Sequence, residues 1–200
     1  MRDNMKKKEF VELLLSTQRE GMENVIVQLG KIGFFDAPAS TKFHLSYPGG
    51  LLEHSMNVCN VALRIRDLII GINPVLEEKL SKESVIIASL LHDVCKSNIY
   101  RPCITYKKTA DGKWDKIPGY EVDHAGMPLG HGEKSVIMLQ MWGLKLTLDE
   151  IIAIRWHMNA WDLAFQSPEQ KASLYAARTA APLCTVIQAA DGLASNLMEE

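Results

Sequence analysis

A nearly unbroken run of apolar residues at positions 85–94 ends in the dipeptide His92-Asp93 and Val94. Such a run is too hydrophobic to face water on any side, so it predicts a helix through the middle of the protein, from about Ser81 to Lys96. A carboxylate buried there costs several kcal/mol unless a cation neutralises it. Two cations are candidates: the ammonium of Lys96, one turn further on, and a metal ion that His92 and Asp93 bind together.

Length, charge and cysteine usage exclude several classes of protein. The chain has 200 residues, 47% of them hydrophobic, which predicts a single domain over 1–200 with a helix and loop at 1–42 and a helical core at 43–198. The formal charge of −2 argues against long DNA or RNA as a partner. No stretch has the pattern of a membrane span or a secretory signal. The four cysteines form no CxxC pair, which indicates reduced, buried thiols and a cytoplasmic protein.

Apolar residues recur at helical spacing in most of the remaining chain. The other predicted helices cover about 6–29 with an interruption near Gly21, then 48–70, 131–142, 147–157 and one or two segments that end near 198. Thr147 and Glu150 form a capping-box pattern, and Pro182 lies near the start of a closing helix. Residues 30–47 are expected to be a loop. The predicted fold class is therefore all-α.

Residues 103–122 have a different character from the rest of the chain. β-prone residues at 104–108 and 113–117 flank the turn signal Ala110-Asp-Gly112. This pattern predicts a β-hairpin inserted into the helical bundle at about 103–122. The hairpin is either a lid over a site or a contact in a homo-oligomer, and the sequence leaves both open.

Six residues with metal-binding side chains lie inside or at the edge of apolar helical stretches. They are His54, His92, Asp93, His131, His157 and Asp191. A lone histidine on an apolar face is more often a hydrogen-bonded core residue, and a lone buried aspartate more often caps a helix or pairs with a base. Imidazole nitrogen with carboxylate oxygen, however, is the ligand set of borderline divalent ions, and helical bundles assemble such sites from separate helices. From spacing alone, a metal site and ordinary core residues remain equally good interpretations.

Three motifs resemble the signatures of the HD-domain superfamily of metal-dependent phosphohydrolases. They are Gly49-Gly-Leu-Leu-Glu-His54, Leu90-Leu-His-Asp-Val-Cys-Lys96 and Ala189-Ala-Asp-Gly-Leu-Ala194. The order H…HD…D and the trailing lysine of HDxxK are present, and the resemblance runs from about residue 43 to 197. The segment at 43–50 is also similar to the HD domain of bacterial 3′-5′ exoribonucleases. Their N-terminal OB-type nucleic-acid domain has no counterpart here, which argues against long RNA substrates.

The resemblance implies an HD-domain-like helical bundle that binds one or two divalent transition-metal ions: iron, manganese, cobalt, nickel or zinc. It implies that the first ion is bound by His54, His92, Asp93 and Asp191. In members with two metals, additional histidines bind the second ion. His131 and His157 match those histidines, and Asp93 would then bridge the two ions.

The implied function is a metal-dependent phosphohydrolase, either a phosphomonoesterase or a phosphodiesterase. Its substrate would be a nucleotide or another small phosphoester, and its nucleophile would be metal-activated water. By this reading Asp93 is catalytic, because it fixes the water and accepts its proton. Lys96 is the second catalytic candidate, because its ammonium can meet the phosphate, although a salt bridge to Asp93 alone would also explain it.

Other residues are candidates for substrate contacts. Lys134 and Arg155 would add positive charge around an anionic substrate, although each is equally well explained as an exposed helix residue. His44 and Tyr47 precede the helix of His54, where a loop could overhang the pocket. Three aromatic residues could stack on a base, although such residues are more often core: Trp156, Trp161 and Phe165.

Two functions of other classes also remain compatible with the sequence. Some superfamily members with two-metal ligand sets are mixed-valent di-iron oxygenases, and the extra histidines are compatible with that chemistry. The same scaffold also serves as a non-catalytic nucleotide-binding module. Such modules usually lose ligands, and none is lost from this chain.

Overall fold

The protein's structure is a computed structural model that describes residues 2–123, 126–127, 129–158 and 167–199. The predicted fold class is confirmed, because these residues form a helical bundle with one β-hairpin. The helices are α1 (Arg2–Ser16), α2 (Met22–Lys31), α3 (Gly50–Ile72), α4 (Lys82–Leu91), α5 (His131–Met141), α6 (Leu148–Trp156), α7 (Pro168–Ala180) and α8 (Pro182–Leu197). The strands are β1 (Tyr100–Lys108) and β2 (Trp114–Val122), and short 3-10 helices cover Phe34–Asp36, Pro74–Leu76 and Val94–Asn98.

The N-terminal segment is two helices, whereas the sequence predicted one interrupted helix over 6–29. The chain turns between α1 and α2 at Gln18 and Gly21, whose φ angles are 50° and 90°. A Cβ on Gly21 would lie 2.0 Å from the carbonyl oxygen of Gly143, so only glycine allows this close approach. On either side of the turn, the buried residues Phe10 and Val25 pack both helices onto the core.

The central helix α4 is buried as predicted, but it is shorter. Its residues from Ser84 onwards are buried, and Ser81 caps its start by accepting a hydrogen bond from the Ser84 amide. The prediction that the helix continues to Lys96 is wrong, because after His92 the backbone of Asp93 leaves the helical region, at φ −106° and ψ 18°. In the 3-10 helix that follows, the Lys96 amide donates to the Asp93 carbonyl at 2.9 Å. This tight turn keeps the two side chains close together.

Five helices from distant parts of the chain meet in the middle of the bundle. α3 packs against α4 and α8, and α6 packs against α4, α5 and α8. The apolar side of α3 faces the core, so His54 is fully buried, whereas Asn60, Arg64 and Asp67 on the opposite side are exposed. The core-facing side chains of these helices therefore converge at one place.

A close glycine contact holds α5 against α6, and a buried carboxylate fixes the start of α6. A Cβ on Gly132 would lie 2.1 Å from the Arg155 carbonyl oxygen, so α5 approaches α6 closely at this point. The predicted capping box is confirmed: the Thr147 side chain accepts from the Glu150 amide, and the Glu150 carboxylate accepts from the Thr147 amide. The same carboxylate is fully buried and accepts two hydrogen bonds from Arg19, at 2.6 and 2.8 Å.

The predicted hairpin is confirmed, and it begins three residues earlier than expected, at Tyr100. β1 and β2 pair antiparallel, with Tyr100 opposite Val122 and Lys108 opposite Trp114. The connecting residues include Gly112 at φ 85°, a conformation that hairpin turns commonly assign to glycine. The lid and the oligomer contact remain untested predictions for this hairpin.

The described part of the chain contains no helix with the length and apolar character that crossing a bilayer requires. All four cysteines are free, and three of them are buried: Cys59, Cys95 and Cys184. The division of the domain at residue 42 and the cytoplasmic location remain predictions.

Candidate metal centre

The carboxylate of Asp93 lies in the middle of a buried cluster that contains all six predicted metal ligands. Asp93 is 1% exposed, and nitrogen atoms of four imidazoles surround its two oxygens. These imidazoles come from α3, the end of α4, the start of α5 and the residue after α6: His54, His92, His131 and His157. Asp191 of α8 completes the cluster, with one oxygen 3.4 Å from His54 Nε2.

The two carboxylate oxygens of Asp93 face different histidines. Oδ2 lies 3.4 Å from Nε2 of both His54 and His92. Oδ1 contacts Nε2 of His131 and lies 3.3 Å from Nε2 of His157. Asp93 is therefore shared by two groups of side chains. The first group is His54, His92 and Asp191, and the second is His131 and His157. This is the grouping that the resemblance implied for a two-metal centre.

Hydrogen bonds on the far side of the rings orient three of the imidazoles. Nδ1 of His92 and Nδ1 of His157 each lie close to the backbone carbonyl three residues earlier, at 2.8 and 2.7 Å, and donate to it. Nδ1 of His54 instead lies 3.0 Å from a carboxylate oxygen of Glu199. With the proton on Nδ1, each ring directs the lone pair of Nε2 into the cluster, which is the usual arrangement of histidines that bind metals.

The arrangement of nitrogen atoms fits a bound cation. Nε2 of His157 is buried and, although Oδ1 of Asp93 lies 3.3 Å away, forms no hydrogen bond of suitable geometry within the described residues. Nε2 of His54 and Nε2 of His92 lie 3.1 Å apart, and two lone pairs at this distance repel each other unless a proton or a metal ion lies between them. The donor set of imidazoles and carboxylates suits iron, manganese, cobalt, nickel or zinc. The residues present therefore fit divalent transition-metal ions.

For most side chains of the cluster, the surroundings favour the protonation state that binds a metal ion, which is an ionised carboxylate or a neutral imidazole. Burial opposes ionisation of Asp93, but the Lys96 ammonium and the adjacent imidazoles hold the pKa of Asp93 well below its usual value. Burial lowers the pKa of His92 and of His131, so both rings are neutral at neutral pH. Burial also opposes protonation of His54, but hydrogen bonds to two carboxylates raise the pKa of His54 to about 9. A metal ion at this ring must therefore displace a proton.

Lys96 neutralises Asp93 directly, with Nζ 2.6 Å from Oδ2. Burial disfavours the charged amine, but the Asp93 carboxylate outweighs it and raises the pKa of Lys96 above its usual value. The sequence left two candidate cations for Asp93, the Lys96 ammonium and a metal ion. The structure places the ammonium beside the carboxylate, and it also surrounds the same carboxylate with side chains that can bind a metal ion. The two explanations are therefore compatible.

A pocket of about 530 Å³ opens onto the cluster. Lys96, His157 and Asp191 line it from the cluster side, and Phe43 and His44 line it from the connection between α2 and α3. The ring of His44 also stacks on the ring of His54, with centroids 5.1 Å apart. His44 thus lies where the sequence predicted an overhanging loop, although its role in substrate binding remains a prediction.

Three other predicted substrate contacts are not among the described residues that line this pocket. The Tyr47 hydroxyl donates to Glu53 at 3.1 Å. Lys134 is not an exposed helix residue, since only 4% of its surface is accessible. Arg155 pairs with Glu133 at 2.5 Å. The substrate roles of Tyr47, Lys134 and Arg155 therefore remain predictions that the pocket geometry does not support.

The aromatic residue at the pocket is not one of those predicted to stack on a base. The Trp156 ring is covered by the guanidinium of Arg155, 4.1 Å from its centroid. Trp161 and Phe165 lie outside the described residues. Phe43, by contrast, lines the pocket and is 76% exposed. Its position before His44 in the motif at 43–50 was the available signal.

The sequence reasoning also missed Glu199, whose side chain is fully buried against His54. A glutamate just after the end of an amphipathic helix is normally exposed to solvent. No local pattern in the sequence therefore predicts this contact. Only the packing of α8 against α3 reveals it.

Two curated relatives are each about one-third identical to part of the chain over an aligned region of about 100 residues. Over 99 residues it is 32% identical to the dihydroneopterin 2′,3′-cyclic phosphate phosphodiesterase of Methanocaldococcus jannaschii, a match that covers 50% of this chain and 36% of that protein. Over 100 residues the chain is 33% identical to ribonuclease Y of Ureaplasma parvum serovar 3. This match covers 44% of this chain and 19% of that protein. The matched region is thus only a minor part of each relative. No solved structure matches the chain significantly.

The family model of the HD domain matches residues 51–196. This range covers most of the helical core and contains every residue of the cluster around Asp93. The matched range and the clustering of these motif residues in space agree with the resemblance that the sequence motifs indicated. The chain belongs to the HD-domain family.

Proposed function

We propose that this protein is a metal-dependent phosphohydrolase that cleaves a small phosphodiester with metal-activated water. The observation that carries the proposal is the carboxylate of Asp93, which is shared by two groups of imidazoles beside a pocket that also contains an ammonium group. The names of the two relatives, a cyclic phosphate phosphodiesterase and a ribonuclease, favour a diester over a monoester.

The cluster would hold the metal and orient the water. One ion would be held by His54, His92, Asp93 and Asp191, and a second by Asp93, His131 and His157. Such an ion lowers the pKa of a coordinated water toward about 7 and so supplies hydroxide at neutral pH. Asp93 stays ionised because of its low pKa, and its carboxylate can accept a hydrogen bond from the attacking water.

Lys96 and His44 are the groups that we assign to the phosphoryl oxygens. The raised pKa of Lys96 keeps its ammonium charged, and a charged donor in a partly buried pocket stabilises the negative charge that develops during phosphoryl transfer. Nε2 of His44 has no hydrogen-bond partner within the described residues, and the residue lines the same pocket. This nitrogen is buried in the structure, so the His44 ring would have to turn toward the pocket to donate to a phosphoryl or leaving-group oxygen.

The pocket favours a nucleotide or a related heterocyclic phosphoester as the substrate. A volume of about 530 Å³ suits a small ligand. The exposed ring of Phe43 can stack on a planar base. Ser40 holds this part of the connection in place, because its hydroxyl accepts from the Phe43 amide at 2.9 Å and donates to the His44 carbonyl at 2.7 Å.

The test is a hydrolysis assay on protein that is stripped with a chelator and reloaded with each candidate metal in turn. We expect metal-dependent cleavage of at least one 2′,3′- or 3′,5′-cyclic nucleotide, with slower release of phosphate from nucleoside monophosphates. Asp93→Ala should lower kcat/KM by more than about 100-fold, since even the outer partners of metal ligands are commonly worth about 10–100-fold. Phe43→Ala should raise KM for cyclic nucleotides and leave hydrolysis of bis(p-nitrophenyl) phosphate nearly unchanged.

The matched control is Asp67→Asn, an acidic residue of α3 whose side chain is 72% exposed. Its activity should equal that of the unaltered protein. Activity that survives both chelation and Asp93→Ala would refute the proposal, and hydrolysis confined to monophosphates would refute the diester assignment.

The two alternative functions are not favoured. The curated relatives carry the names of a phosphodiesterase and a ribonuclease, and the cluster retains all six predicted ligands. Oxygen consumption by the iron-loaded protein, without hydrolysis of any phosphoester, would instead support an oxygenase. Tight nucleotide binding without turnover in any metal would support a binding module.

A further inference from the structure

Glu199 lies outside the range that matches the HD family, yet its carboxylate reaches a residue of the candidate metal centre. Its two oxygens lie 3.2 and 3.0 Å from Nδ1 of His54. Asn57 lies one turn after His54 on α3, and its side-chain amide donates to the same carboxylate at 3.0 Å. The carboxylate is therefore held from two positions on one face of α3.

Glu199 gives His54 a partner of a different kind from those of His92 and His157. The latter two rings donate to backbone carbonyls, which are neutral acceptors. The carboxylate of Glu199 accepts hydrogen bonds from both His54 and Asn57, and an ionised carboxylate is the acceptor suited to two such donors. A carboxylate that accepts the Nδ1 proton fixes the tautomer of an imidazole and makes its Nε2 atom a stronger metal ligand.

The surroundings of Glu199 leave its carboxylate committed to this contact. The side chain is fully buried. Nε2 of His44 lies 3.9 Å from it, which is beyond hydrogen-bond distance. The carboxylate is also on the far side of the His54 ring from Asp93, so it does not face the reacting groups. Its influence on the centre must therefore pass through the imidazole.

We propose that Glu199 is a positioning residue of the metal centre, which holds His54 with its proton on Nδ1 and so strengthens Nε2 as a ligand. The inference rests on the proposed metal-dependent function and adds to it a residue that the family match does not include. Loss of the carboxylate charge should weaken metal binding without removing any ligand.

The test compares the metal affinity of the unaltered protein with that of Glu199→Gln, by competition for Mn²⁺ or Zn²⁺ with a chromophoric chelator. Glutamine keeps the size of the side chain and removes its charge. We expect the affinity to fall by about 10–100-fold, whereas kcat at saturating metal changes by only a few-fold. The matched control is Glu53→Gln, next to His54 on the partly exposed side of α3 and paired with Lys6, which should bind metal within twofold of the unaltered protein.

A second variant and a second readout separate positioning from a merely structural role. Asn57→Ala frees one side of the Glu199 carboxylate and should lower the affinity by a smaller factor, so it serves if Glu199→Gln does not fold. In ¹⁵N-correlated NMR spectra of the zinc-loaded protein, His54 should carry its proton on Nδ1, and this signal should shift in Glu199→Gln.

The outcomes distinguish this inference from the proposed function. If the unaltered protein binds no metal, the proposed function itself fails. If it binds metal and Glu199→Gln binds within twofold of it, or loses only thermal stability, the positioning role is overturned.

Discussion

Lys96 and a metal ion carry charge of the same sign, and the geometry would place both beside one carboxylate. The ammonium lies 2.6 Å from Oδ2 of Asp93, the oxygen that also faces His54 and His92. Because like charges repel across a buried site, the ammonium works against metal binding. Its presence at the pocket is better explained by an anionic substrate than by the stability of the centre.

This argument predicts the effect of Lys96→Gln. Hydrolysis of a diester should fall by about 10²–10³-fold in kcat/KM, because a charged donor to the phosphoryl oxygens is lost. Metal affinity, measured by chelator competition, should stay the same or rise. Lys31→Gln, at an exposed lysine at the end of α2 and outside the pocket, is the control and should change neither quantity. A loss of metal affinity in Lys96→Gln would show that the lysine serves only the structure of the cluster.

The raised pKa of His54 predicts how metal affinity depends on pH. Without a bound ion the pKa of this ring is about 9, so at neutral pH it carries a proton that the metal must displace. Affinity should therefore rise by about tenfold per pH unit from pH 6 and level off near pH 9. Competition titrations across this range would measure it, and an affinity independent of pH would contradict the protonated state of His54.

At the scale of helices, the spacing between α5 and α6 determines where His131 and His157 lie. Gly132 follows His131 directly, and its close contact is with the carbonyl of Arg155, two residues before His157. A larger residue at 132 must therefore push apart the two helices that carry the second group of imidazoles.

Gly132→Ala should lower the free energy of unfolding by roughly 1–3 kcal/mol, because its Cβ would overlap backbone that cannot move freely. If the centre holds two ions, the stoichiometry of metal binding should also fall toward one. Thermal or chemical denaturation and elemental analysis measure these effects. Gly71→Ala in α3 meets nothing within 4 Å and should be neutral or slightly stabilising. Equal stability of the two variants would show that α5 can shift without cost.

At the scale of the whole molecule, a buried ion pair connects the N-terminal helices to the core that carries the site. Arg19 lies between α1 and α2, and both of its hydrogen bonds to Glu150 reach the first turn of α6. Ser84 of α4 donates to the same carboxylate at 2.7 Å. Three parts of the chain therefore meet at one fully buried charge.

Arg19→Met should lower the free energy of unfolding by about 3 kcal/mol, because it leaves the Glu150 carboxylate buried without its cation. The matched control is Lys145→Met, which removes the neighbouring pair with Glu20, where both side chains are about 70% exposed. That change should cost less than about 1 kcal/mol, as is usual for surface ion pairs. Denaturant unfolding of the two variants is the measurement, and equal losses would contradict the buried character of the Arg19 pair.

Local residue patterns were enough to predict the helical class, the hairpin and the side chains that form the candidate metal centre. Helical periodicity, the Asp-Gly turn and the capping box act over a few residues, so they can be recognised without knowing the fold. His54, His92, Asp93 and Asp191 are recognisable for a similar reason, since each lies within a short motif whose residue types are set by chemistry.

Contacts between distant residues decided the rest. The close approach of Gly21 to the carbonyl of Gly143 joins distant parts of the chain, and the contact of Glu199 with His54 joins residues 145 positions apart. The pairing of Arg155 with Glu133, and the exposure of Phe43 at the pocket, likewise depend on which helices lie side by side. No local pattern encodes such contacts, because they arise only when packing brings separate elements within a few ångströms of each other.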